Sequence, residues 1–139
     1  MRLLIIKPSS LGDVIHALRI VGQMKSSGFD IEVDWVIKRG LEGILQASGL
    51  IDRILFFERG KGASAFIKLI SRIRKINYDF VLDLQGLLRS AVLTRFSSAK
   101  QKIGRADGRE LSTLFYKPVG GKSRKKLMHA IERMLPFLN

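Results

Sequence analysis

Short apolar runs and helically spaced segments take turns along most of this chain, and that alternation constrains its fold more than any other feature. Leu3-Leu4-Ile5-Ile6 is continuously apolar, as a strand buried on both faces of a sheet must be. Val14, Ile15, Leu18 and Val21 then recur at helical spacing, which predicts a helix over 13–26 stopped by Gly28. Further strands are expected at 31–37, 54–57 and 78–84, with helices at 40–48 and 87–96. Between them, Phe66, Ile67, Ile70 and Ile73 predict an amphipathic helix over 63–76. A short fifth strand is expected at 102–104, then a polar loop over 105–110. A helical turn at 111–116, a loop at 120–123 and a closing helix at 125–138 complete the reading. Strands that alternate with helices imply βαβ units with right-handed crossovers. The expected fold is α/β: a Rossmann-like parallel sheet of five or more strands with helices on both faces.

The first strand gives way to its helix through Lys7-Pro8-Ser9-Ser10-Leu11-Gly12-Asp13. Ligands of open parallel sheets bind where such loops leave the carboxyl ends of strands. Asp13 should therefore stand in a cleft, at or just before the first turn of a helix. An aspartate there is either a helix N-cap, satisfying orphan N–H groups, or a carboxylate available for chemistry. The loop is polar and tolerant of anions, yet it contains neither G-x-x-x-x-G-K-[ST] nor G-x-G-x-x-G.

At 139 residues the chain is one domain's worth, enough to bury a core. It has no cysteine, so disulfides and thiolate metal sites are excluded. His16 and His129 lie far apart and neither has metal-ligand spacing. The apolar start breaks at Lys7, unlike a signal peptide, and no apolar run approaches the ~20 residues that span a bilayer. A cytoplasmic domain is expected. The net charge is +13, with 11 basic and 3 acidic residues from 95 to 139. Such an excess favours a polyanionic partner: nucleic acid, an anionic membrane or a phosphorylated substrate.

Four segments together resemble the lipopolysaccharide heptosyltransferases. They are Ser10-Leu11-Gly12-Asp13-Val14-Ile15-His16-Ala17-Leu18, Asp83-Leu84-Gln85-Gly86-Leu87-Leu88-Arg89-Ser90-Ala91, Ser112-Thr113-Leu114-Phe115-Tyr116 and His129-Ala130-Ile131-Glu132-Arg133. They run in the family's order from one end of the chain to the other. One departure is Arg19, where the family usually has proline after the Ala-Leu pair.

The resemblance implies a GT-B glycosyltransferase, with residues 1–139 as its N-terminal acceptor-binding Rossmann-like domain and the C-terminal nucleotide-sugar domain absent. It implies ADP-heptose as donor, Kdo-bearing lipid A as acceptor, and neither metal nor other cofactor. The location implied is peripheral, on the cytoplasmic face of the inner membrane with its anionic surface. The family's catalytic base falls on Asp13, which makes chemical sense: inverting attack on an anomeric carbon needs one carboxylate to take the acceptor hydroxyl's proton. Acceptor carboxylates and phosphates need Arg forks and Lys point charges. Lys7, Ser10, Arg59, Lys61, Arg105 and Arg109 are the acceptor-binding candidates, with Arg89 and Arg133 weaker ones.

Two other readings use the same charge. One is a non-enzymatic basic Rossmann-like module that binds nucleic acid or nucleotide, against which Phe56, Phe57, Phe66 and Phe80 fall in core segments rather than among basic residues. The other is a peripheral membrane adaptor acting through the Lys122 to Lys126 cluster. No nucleic-acid partner is expected.

Overall fold

The computed structural model describes residues 1–105 and 117–119. The elements are β1 (Arg2–Ile6), α1 (Leu11–Ser26), β2 (Glu32–Lys38), α2 (Glu42–Ser48), β3 (Arg53–Phe57), α3 (Gly62–Arg74), β4 (Asn77–Asp83), α4 (Leu88–Phe96), β5 (Ser98–Arg105) and β6 (Lys117–Val119). The strands form one sheet in the order β3-β2-β1-β4-β5-β6, every pair parallel. The α/β parallel fold expected from the alternation is the fold observed.

Side chains leave a strand alternately to its two faces, so a central strand must be apolar at every position. β1 meets this requirement from Leu3 to Ile6, with Arg2 exposed at its start. Leu3 and Ile5 pack with Val14, Leu18 and Val21 of α1, while Leu4 and Ile6 pack with Leu69 and Ile73 of α3 and Leu93 of α4. Thus α1 and α2 cover one face, and α3 and α4 the other. Burying each such side chain contributes about 1.5–3 kcal/mol, which makes β1 the spine of the domain. Trp35 of β2 is fully buried on the α1 side. On the opposite side the buried Tyr78 hydroxyl donates to Asp34 at 2.7 Å, joining β4 to β2.

Three expectations need correction. The fifth strand is Ser98–Arg105, not 102–104. Its first half, Ser98 to Gln101, lacks an apolar run, but its backbone pairs directly with β4 from Asn77 onward. On α3 the inward side chain is Leu69, while Ile67 is 62% exposed; 66, 69, 70 and 73 make the tighter helical stripe. A sixth strand, Lys117–Val119, pairs with the end of β5, and three residues including a proline carry too little pattern to reveal it. The readings at 111–116, 120–123 and 125–138, with Arg133 and the Lys122 to Lys126 cluster, lie outside the described residues.

Candidate active site

The strand order reverses direction at β1, with β2 and β3 to one side and β4, β5 and β6 to the other. The loops that follow β1 and β4 lead to helices on opposite faces, and a crevice opens between them. Lys7 is the first residue beyond β1, and its backbone is fixed on two sides. Its N–H donates to Val36 O at 3.2 Å, and its carbonyl accepts the Trp35 indole N–H at 3.1 Å.

The Lys7 side chain is only 7% exposed. Its ammonium donates to Gln85 Oε1 at 3.1 Å and lies 3.3 Å from Asp13 Oδ2. Gln85 belongs to the loop after β4, Asp13 to the helix after β1. One buried cation therefore spans the crevice and holds both loops.

Asp13 is not the N-cap of α1. That position is Ser10, whose backbone is extended and whose carbonyl accepts the Val14 N–H at 2.9 Å. The helix begins at Leu11 rather than at 13, which puts Asp13 inside its first turn, where negative charge meets the positive end of the helix dipole. The Ser10 hydroxyl donates to Asp13 Oδ2 at 3.1 Å. Partial burial pushes the Asp13 carboxyl up, but the charge and hydrogen bond of Lys7, reinforced by Ser10, outweigh it and hold the carboxyl below its ordinary value. With 59% of its side chain exposed, Asp13 presents to solvent an ionised carboxylate fixed in direction.

The other wall is organised by Asp83, the last residue of β4 and fully buried. Its Oδ1 accepts the N–H groups of Gln85 at 2.9 Å and Gly86 at 3.0 Å, and its Oδ2 accepts the Ser90 hydroxyl at 2.9 Å. The chain turns sharply there because Gly86 takes φ 71°, a conformation that side chains disfavour. This turn fixes where Gln85 meets Lys7.

Next to the Lys7 bridge lies a cleft of about 420 Å³, lined by Pro8, Ser9, Lys38, Arg59, Gln85 and Arg89 among others. Its lining includes three cations and no carboxylate. Among the described residues Lys38, Arg59 and Arg89 have no ion-pair partner. The arrangement suits an anionic ligand placed beside a carboxylate.

Lys7, Ser10 and Asp13 are thus brought together, with Arg59 on the adjoining cleft. Lys61 is not in that cleft: it is exposed and lies 3.4 Å from Glu58 Oε1. Glu58 also accepts from Arg39 at 2.7 Å, so Lys61 faces a paired acid. Arg105 ends β5, where its backbone pairs with Val119, and Arg109 lies outside the described residues. Sequence reasoning gave no role to Trp35, Asp83, Gln85 or Lys38. An acid ending an apolar strand and a lone tryptophan were the available signals for two of them; Gln85 and Lys38 have none at the level of composition or period. Among the described residues no three His, Asp or Glu side chains converge as metal ligands, and no helix is long and apolar enough to cross a membrane.

The sequence and the fold both match known proteins. The chain is 35% identical to lipopolysaccharide heptosyltransferase 1 of Escherichia coli K12, covering 96% of this chain and 45% of that protein. It is 35% identical over 99 residues to the Campylobacter coli protein of the same name, covering 70% of this chain and 29% of the other. It superposes with a TM-score of 0.74 at 30% identity on the E. coli heptosyltransferase WaaC crystallised with ADP-2-deoxy-2-fluoro heptose, across 96% of this chain and 45% of that one. A family 9 glycosyltransferase from Veillonella parvula, at 18% identity and TM-score 0.74, shares the fold. The chain spans less than half the length of each of these relatives. Residues 66–138 match the family described as glycosyltransferase family 9 (heptosyltransferase), and the chain belongs to that family.

Proposed function

We propose that residues 1–139 are the acceptor-binding domain of a heptosyltransferase, which transfers heptose from ADP-heptose to the Kdo of the lipopolysaccharide inner core. The observation that carries this reading is the juxtaposition of an oriented, ionised Asp13 with a cleft whose cations have no ion-pair partner among the described residues. In an inverting step the acceptor hydroxyl oxygen forms a bond to the anomeric carbon. The bond from that carbon to the nucleotide phosphate breaks, ADP leaves with the electron pair, and Asp13 takes the hydroxyl proton. Lys7 keeps Asp13 ionised before the step and fixes its direction. A carboxylate held below its ordinary value is a weak base, so the proton moves as the new bond acidifies the hydroxyl rather than in advance.

Arg59, with Lys38 and Arg89, meets acceptor carboxylate or phosphate groups, for which guanidinium forks and ammonium charges are suited. Arg105, at the end of β5, and Arg109, four residues on in sequence, belong to the same proposal; Lys61, turned to Glu58, is its weakest member. The donor is held mainly by a domain outside these 139 residues, and the acceptor brings the protein to the anionic inner-membrane surface. A nucleic-acid module is disfavoured by the aromatics: among the described residues Phe96 alone is exposed, and Trp35, Phe57, Tyr78 and Phe80 are buried.

Alignment of donor and acceptor across a cleft is worth ~7–11 kcal/mol of barrier, so the 139-residue chain by itself should show no heptose transfer. Joined to the part of E. coli heptosyltransferase 1 that it does not match, it should transfer heptose from ADP-heptose to Kdo-bearing lipid A. Transfer by the isolated chain, or a folded two-domain protein that binds both substrates without turnover, would refute the reading.

A further inference from the structure

The two faces of the sheet carry different charge. On the α1 and α2 face, the helices hold two acids, Asp13 and Glu42, against two cations, Arg19 and Lys25. On the other face α3 and α4 contain no acid at all. From Arg59 to Tyr78 no Asp or Glu occurs. Lys68, Arg72, Arg74, Lys75, Arg89 and Arg95 are all exposed, and among the described residues none of the six has an ion-pair partner. Lys68, Arg72 and Lys75 fall at i, i+4 and i+7, one exposed stripe beside and away from the buried Leu69 and Ile73. Burial, and after it the neighbouring charge of Arg95, push the Lys102 ammonium below its ordinary value.

The same face exposes apolar side chains. Ile67 of α3 is 62% exposed, and Leu88 and Phe96 of α4 are 41% and 47% exposed. An isolated exposed hydrophobe is ordinary. Three of them on two adjacent helices without acids, with Glu58 at the edge already paired to Arg39 and Lys61, make a surface complementary to an anionic bilayer, where cations meet headgroups and apolar side chains enter the interface.

We infer that the α3/α4 face is the surface by which this chain lies on an anionic phospholipid bilayer. Attachment is electrostatic first: the apolar stripe of α3 is spent on the core, so the helix adsorbs and does not insert. Arg89 belongs both to this face and to the cleft beside Asp13, so a headgroup-borne acceptor reaches the cleft from the membrane side. The inference gives the membrane partner proposed above its contact surface and rests on that reading. Vesicle binding needs neither donor nor acceptor, however, so its failure leaves the transfer reading standing.

The test is co-sedimentation of the 139-residue chain with vesicles of phosphatidylcholine containing phosphatidylglycerol, against vesicles of phosphatidylcholine alone. Binding to the anionic vesicles is expected, weakening with salt, with little binding to the zwitterionic ones. A cation near an anionic leaflet is worth roughly fivefold in partitioning, so the triple variant Lys68→Gln, Arg72→Gln, Lys75→Gln should bind about 100-fold more weakly. Its circular dichroism and melting curve should match the parent, since all three side chains are exposed. Neutralising Arg19 on the opposite face should change little. Equal binding to both vesicle types, undiminished binding by the folded triple variant, or loss of binding only on neutralising Lys122, Lys125 and Lys126 would overturn the inference.

Discussion

Replacing Asp13 by Asn in the two-domain protein is expected to lower kcat by ~10²–10⁴-fold, the usual worth of a general base, while the protein stays folded and binds acceptor. The substitution keeps size and an oxygen that can still accept from Lys7 and Ser10, which now stand 3.3 and 3.1 Å from Oδ2. What disappears is the proton acceptor. Loss of the favourable charge at the start of α1 should cost ~0.3–1 kcal/mol of stability. Because Ser10, not Asp13, occupies the N-cap position, a purely structural role for Asp13 predicts that same small stability change with turnover kept. Melting and kcat on one preparation separate the two. The pH profile adds a second check. Asp13 lies below its ordinary value of 3.8, so the parent's dependence on this base should be flat through neutrality and fall only as acid protonates the carboxylate. A rise in kcat between pH 6 and pH 8 that vanishes in the variant would contradict the account.

The second large effect falls on stability. Asp83→Ala should lower the unfolding free energy by ~1.5–3 kcal/mol, the range for hydrogen bonds to a charged group, from a total that is ~5–15 kcal/mol in ordinary domains. The carboxylate is fully buried and accepts from Gln85 N, Gly86 N and Ser90 Oγ. Alanine would leave the buried Gly86 N–H and the half-buried Gln85 N–H without this acceptor, while the Ser90 hydroxyl keeps Leu87 O at 2.8 Å. Asp83→Asn keeps one oxygen and should lose less. Urea unfolding of the 139-residue chain measures both, and a change below about 1 kcal/mol for the alanine variant would show that the turn does not depend on this side chain. The loosened turn would also release Gln85 from Lys7, so the crevice should lose its shape before the rest of the sheet.

How much of this was legible in the sequence follows from the physics of each residue. β1, β2, β3 and β4 announced themselves because buried parallel strands must be apolar on both faces, and the turn to helical spacing after Ile6 marked the start of α1 within two residues. Short polar strands carry no such requirement: the first half of β5 exists because β4 offers it backbone partners, and β6 because β5 does. The proximity of Asp13 to the carboxyl edge followed from the fold class alone. That Lys7 is the buried bridge to Gln85 did not follow, since those residues are 78 positions apart and only the strand order joins them. Charge counts likewise could not separate Arg59, which lines the cleft, from Lys61, two residues on and paired to Glu58.

Binding of Kdo-bearing lipid A to the 139-residue chain, measured in detergent micelles, decides whether this domain takes the acceptor. Saturable binding is expected, exceeding that of ADP-heptose and of DNA of equal charge. Arg59→Ala should weaken acceptor binding about tenfold or more, since a charge-assisted contact is worth ~1.5–3 kcal/mol. A chain that holds ADP-heptose more tightly than the acceptor, with Arg59→Ala silent, would contradict that assignment.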